Sequence, residues 1–206
     1  QKDSAFVAFQ SVIDMKRKSP RGYVIQAHLQ QAKQFDAKNG DTIAFLKKYK
    51  DLLEDRENRP FLDFINHQVA LYYDAQDNHK MATEYYNESL KKRKTDQYLI
   101  ASNYRNLATL NFDDAKYPTA GKYYDSTLTI LDSRSREHKA IKKKRENLED
   151  VIKYEAIAQQ NDSILNLTNM SKEAQIAYFE KYIVELKAAD KKAAEIEKKK
   201  LELESY

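Results

Sequence analysis

The sequence predicts an all-α fold: a right-handed solenoid of antiparallel helix pairs carrying a long C-terminal helix. Three observations point there. Alanines recur at a fixed period: Ala32, Ala70 and Ala108 lie 38 residues apart, as do Ala44, Ala82 and Ala120, each 12 positions after its partner. Helix breakers are scarce, with 3 Gly and 3 Pro in 206 residues, and 33% of the residues are charged, which suits long amphipathic helices. Near the C-terminus Ile176, Phe179, Ile183 and Leu186 follow a 3-4-3 spacing, a helical strip that must pack on something.

The alanine spacing has a physical reading. Two antiparallel helices approach closely only where a methyl group or less separates their backbones. A small residue, then a second one 12 positions on with an aromatic four later (Ala82 with Tyr86, Ala120 with Tyr124), is the grammar of a tetratricopeptide repeat. One hairpin cannot bury its own apolar face, so stacked neighbours share a continuous core. The usual period is about 34 residues. The surplus here falls after each second helix, in charged stretches (EDRENRP, KKRKTDQ, DSRSREH) where added length is tolerated. The repeats are degenerate: Lys48 takes the aromatic's place in the first unit, and Asn111 replaces the aromatic that Phe35 and Tyr73 supply to the others. Ala5 and Phe9 have the spacing of a second helix, continued by Val12 and Ile13 and ended by Pro20. The chain thus reads as opening mid-repeat, as an excised piece of a longer protein does.

Helices are expected near 4–17, 22–38, 41–55, 61–76, 79–93, 97–114, 118–131, 135–160 and 172–204. Gly40-Asp41 reads as a left-handed helix stop followed by a cap, Pro118 as a first-turn proline, and Ser171 as the cap of the last helix. The 38-residue rhythm fails after Leu131. The organisation read from this is degenerate repeats over 1–131, a helical cap of the solenoid over 132–190 holding the buried Ile176 strip, and a solvated helical extension over 191–206.

Several function classes find no footing. Net charge is +4 from 36 basic and 32 acidic residues, too balanced for a nucleic-acid binder. No stretch approaches 18 consecutive apolar residues, so this segment inserts into no membrane. With 0 Cys there is no thiol nucleophile or zinc–thiolate cluster, and His28, His67, His79 and His138 form no metal-binding pair. No phosphate-cradling or nucleophile-elbow motif is present. Adjacent carboxylates such as Asp113-Asp114 read as helix surface. No enzyme, cofactor or metal site is expected.

One surface is a candidate. In such a repeat the first helices line the groove. The face opposite the buried alanines should show Leu29, Lys33 and Asp36 from the first unit. The second should give His67, Leu71 and Asp74, and the third Arg105, Thr109 and Phe112. Charge mixed with exposed apolar surface suits a protein partner. Arg105, with a guanidinium fit for a partner carboxylate, is the expected anchor. The Lys/Asn set with which chaperone-binding repeats clamp a C-terminal carboxylate is absent.

The stretches ASNYRNLATLNF (101–112), KYPTAGKYYDSTL (116–128), KKRENLEDVIKYE (143–155) and NDSILNL (161–167), with Met170-Ser171 after them, resemble the SprE/PorW family. These are tetratricopeptide-repeat lipoproteins of the type IX secretion and gliding-motility machinery of Bacteroidota. The similarity spans about Tyr23 to Lys187 and is firmest from Leu99 to Ser171. It implies a non-catalytic scaffold facing the periplasm, held at the outer membrane by a lipid anchor upstream, whose partners are proteins of the secretion machinery. The Asp-Ser/Thr-aliphatic triplets at Asp3, Asp41 and Asp162 match the O-glycosylation pattern of that phylum, and also read as helix caps. The alternative is a generic peptide-binding repeat module, a co-chaperone or regulatory adaptor.

Overall fold

The computed structural model describes residues 2–36, 40–92 and 96–204, with side chains over 4–36, 40–92 and 96–198. The described residues are helical with no strand. In chain order the α-helices are α1 (Lys2–Asp14), α2 (Arg21–Ala32), α3 (Thr42–Glu54), α4 (Leu62–Asp74), α5 (His79–Lys91), α6 (Gln97–Asp113), α7 (Tyr117–Ile130), α8 (Arg136–Thr168) and α9 (Lys172–Glu204). Short 3-10 turns at Lys16–Lys18 and Arg56–Phe61 precede α2 and α4. The chain forms two compact units, 1–152 and 153–206.

The helix starts follow local chemistry. Side-chain oxygens of Asp41, Asn78 and Asp96 accept from the backbone N–H of the residue three positions on, capping α3, α5 and α6. Pro118 sits in the first turn of α7, where its missing donor costs nothing. Ser171 accepts from Ala174 N at the start of α9. Two boundaries differ from the sequence reading by more than three residues. The α2 helix stops at Ala32, and α8 runs through DSILNL to Thr168. The last positions expected of the second and fifth helices, 37–38 and 93, lie outside the described residues, as does part of the charged stretch KKRKTDQ. Gly40 adopts no left-handed conformation. Its requirement is room: a Cβ there would lie 2.6 Å from Asp36 O and from the Phe35 ring.

The first unit is built on hairpins. The α4–α5 and α6–α7 pairs pack closely, with α5 against α6 joining them. Ala70, Ala82, Ala108 and Ala120 are fully buried. The first two share a core with Tyr86, Leu107 and Leu110. The second two share one with Tyr124 and with Ile141 and Leu148 of α8. A third cluster holds Ile25, Leu29, Phe45, Tyr49, Leu52, Ile65, Val69 and Tyr72. The first repeat departs from the others: Ala32 is half-buried and Ala44 exposed. There α2 packs on α1, and the α2 and α3 backbones stand further apart, bridged by long side chains. Tyr49 Oη donates to His28 O over 2.9 Å, and Lys48 Nζ to Gln31 Oε1 over 3.0 Å.

The C-terminal strip is expected to be buried against the helix of residues 135–160 or against another chain; within the chain it is exposed. Ile176, Phe179, Ile183 and Leu186 are 60%, 50%, 47% and 47% exposed. The helix forms because its sequence is rich in Ala, Glu, Lys and Leu, and the spacing puts these residues on one side. Among the described residues none covers them. The described side chains from Lys191 to Lys198 are exposed as well.

Candidate protein-binding groove

Gln26 and Leu29 of α2 with Lys33 just beyond its end, Phe64, His67, Gln68 and Leu71 of α4, and Tyr98, Leu99 and Ser102 of α6 with its cap Asp96 line a groove of about 190 Å³. Four of the residues expected on the binding face meet there: Leu29, Lys33, His67 and Leu71. Thr109 and Phe112 meet in a second cavity of about 380 Å³. Its other walls are Asp113 of α6, Tyr124 of α7, and Lys144, Asn147, Leu148 and Val151 of α8. Phe112 stays 45% exposed, its ring edge-on to Tyr117 at 5.5 Å.

His67 is held from below by a buried polar chain. The Ser89 hydroxyl donates to the Asp63 carbonyl over 2.7 Å and accepts from Asn103 Nδ2 over 2.8 Å. That orients the Asn103 amide and leaves its Oδ1 as the acceptor facing His67 Nδ1 at 2.7 Å. The network therefore assigns the proton to Nδ1 and leaves Nε2 a lone-pair acceptor. Burial pulls the His67 pKa below its usual value; the Asn103 bond opposes this, and Arg105 and Lys33 add to it. The ring is neutral near pH 7.

The other expected residues are placed differently. Asp74 accepts from Tyr86 Oη at 3.0 Å, and Tyr86 Oη in turn accepts from Asn106 Nδ2 at 2.9 Å. Burial raises the Asp74 pKa, with the Tyr86 bond opposing it. Asp36 is exposed beyond the end of α2, and its carbonyl accepts from Gly40 N. The guanidinium of Arg105, expected to meet a partner carboxylate, is engaged inside the chain. It pairs with Glu137 of α8 and donates to Ser102 Oγ. Arg105→Glu would set two carboxylates together, so it tests folding as much as binding.

Sequence reasoning missed the α8 contribution of Lys144, Asn147 and Val151. The period ends at Leu131, so no register carried the face onto α8. Tyr98, 62% exposed at the start of α6, carried one signal: a large aromatic outside the repeat's packing positions.

Among the described residues no three His, Asp or Glu side chains converge to hold a metal ion, and no helix is long and apolar enough to cross a membrane. Both grooves combine apolar walls with charged side chains, Lys33 and Asp96 in the first and Asp113 and Lys144 in the second. The chain matches no protein-family model and no curated protein.

Proposed function

We propose that the hairpins form a tetratricopeptide-type solenoid that serves as a non-catalytic protein–protein interaction scaffold. The system we assign it to is the type IX secretion and gliding-motility machinery, at the periplasmic side of the outer membrane. One observation carries the interaction reading. Lys33, His67 and Leu71, from two successive repeats, meet in one groove with an exposed tyrosine, an acceptor nitrogen and an ammonium at its walls. That mixture of apolar floor and separate donors and acceptors suits a polypeptide surface. The assignment to the secretion machinery rests on the resemblance of residues 101–171 to the SprE/PorW family.

The test uses the full-length protein in a gliding cell. Lys33→Glu with Phe112→Asp changes both grooves at exposed positions that hold no core together. The doubly substituted protein should fold and melt like the parent, recover fewer envelope proteins in a pull-down, and impair secretion. Full recovery of partners by a folded variant would refute the groove as the recognition surface. A full-length gene without a lipidation cysteine, and a protein found in the cytosol, would favour the generic peptide-binding module.

A further inference from the structure

The C-terminal helix α9 carries an apolar face that the described residues leave open. Ile176, Tyr178, Phe179, Tyr182, Ile183 and Leu186 are each between 44% and 60% exposed. At 100° per residue they fall on one side of the helix, continued by Ala189 and Ala193. A monomer rarely shows so many large apolar side chains together. Each exposes roughly 100 Å², about half of a large side chain's surface.

We propose that this face pairs with the same face of a second copy, the two α9 helices running antiparallel about a two-fold axis near residue 181. Three features select this occupant. The first is spacing: Ile176, Phe179, Ile183 and Leu186 occupy successive a and d positions, the pattern by which two helices interlock side chains. The second is area. Six residues from each copy bury about 1,200 Å² in total, the lower bound of a specific interface. The third is charge. Along one edge of the strip the charges run Glu173, Glu180, Lys187, Lys191, acidic and then basic. An antiparallel copy lays that edge against itself reversed, so Glu173 of each copy faces Lys187 and Lys191 of the other, while the two Glu180 side chains meet beside the axis. A parallel copy lays it against the edge of Gln175, Tyr182 and Ala189, which has no charge to offer. The two-fold arrangement is closed, so association stops at the dimer.

The experiment takes the 206-residue chain and measures its mass by sedimentation equilibrium from 1 to 100 µM. A dimer is expected. Phe179→Asp with Ile183→Asp should give a monomer whose helicity and melting transition for residues 1–152 are unchanged, since neither side chain is in a core. Reversing all four edge charges (Glu173→Lys, Glu180→Lys, Lys187→Glu, Lys191→Glu) should leave a dimer, whereas reversing only the two lysines should weaken association at least tenfold and restore it at high salt. The chain has 0 Cys, so orientation is readable by disulfide trapping. A mixture of Gln175→Cys and Ala189→Cys chains should cross-link to each other and not to themselves. A monomer up to 100 µM, including one that binds lipid vesicles instead, would overturn the proposal. So would a dimer that survives both aspartates, or cross-linking without the 175–189 pairing.

Discussion

Asn103 stands where Ile65 stands one repeat earlier, 38 residues before it, and both are buried. An amide in an apolar slot is costly unless every polar atom is paired. Here Ser89 and His67 pair it. Ser89 in turn has Thr127 as its counterpart one repeat on, also fully buried. Thr127 needs no network, because its hydroxyl returns to its own helix at Tyr123 O, 2.9 Å away. Asn103→Leu should therefore destabilise by about 1–3 kcal/mol despite adding apolar volume, because it removes the acceptor of the His67 N–H and the donor to the Ser89 oxygen, which keeps only its own bond to Asp63 O. Urea unfolding measures this, and Ser89→Ala in the Asn103→Leu background should recover part of the loss. An Asn103→Leu protein as stable as the parent would remove the network from the stability account. None of this was legible beforehand. A polar residue on a repeat's apolar position reads as degeneracy, and its partners lie 14 and 36 residues away.

The hairpin is the element in which the repeat is most faithfully kept. The turns after α4 and α6 place Asp77 and Ala115 at φ 55° and 57°, 38 residues apart. Each is followed by the same backbone bond closing the helix end, Asn78 N to Tyr73 O (2.9 Å) and Lys116 N to Asn111 O (2.8 Å). The turn geometry thus survives a change from Tyr73 to Asn111, since it is made by main-chain groups. The first hairpin shares the alanines; its turn lies partly outside the described residues, and there Gly40 N bonds to Asp36 O over 2.8 Å. Lys48 replaces the tyrosine that fills the other hairpins, and an ammonium does not enter a core unpaired; it reaches Gln31 instead. The Phe35 ring stacks on Phe45 at 4.4 Å between the helices. Ala44 therefore lines an open groove with Phe6 and Phe45. The same substitution should have opposite consequences at equivalent positions. Ala82→Leu overpacks a closed hairpin and should cost about 1–3 kcal/mol. Ala44→Leu, on an exposed methyl, should shift stability by no more than about 0.5 kcal/mol. Thermal melts of the two variants check this, and equal losses would mean the first hairpin is closed in solution.

At the scale of the whole molecule, buried imidazoles set the response to acid. His28 is 9% exposed, with Nδ1 buried and without a hydrogen-bond partner. Burial, aided by the positive charges of Lys48 and Arg21, lowers its pKa from 6.5 to about 4. The folded state then binds a proton less readily than the unfolded chain. The contribution is present above pH 6.5 and lost as pH falls toward 4, on the order of 3 kcal/mol in all. His67 titrates in the same direction. His79 has the opposite sign, because its bond to Asp114 raises its pKa, and that contribution is lost as pH rises through the raised value. Urea unfolding of the parent and of His28→Gln at pH 7, 5.5 and 4.5 isolates the His28 part. The parent should lose more stability than the variant over that range, and parallel curves would show that His28 titrates as it does in the unfolded chain.

The sequence by itself determined the helical class, the nine helix positions to within a few residues at most ends, and the alanine crossings at 70/82 and 108/120. These follow from spacing along the chain, and spacing is what fixes which residues share a helical face. It also brought Leu29, Lys33, His67 and Leu71 to one surface, because a constant period carries a face from one repeat to the next. Only the tertiary structure decided that Arg105 is held by Glu137, that α8 supplies a wall of the second groove, that the first hairpin stands open and that the α9 strip is uncovered. Each depends on what lies across the gap from a residue. Periodicity records that a face is apolar, and the packing partner alone determines whether that face is buried within the chain.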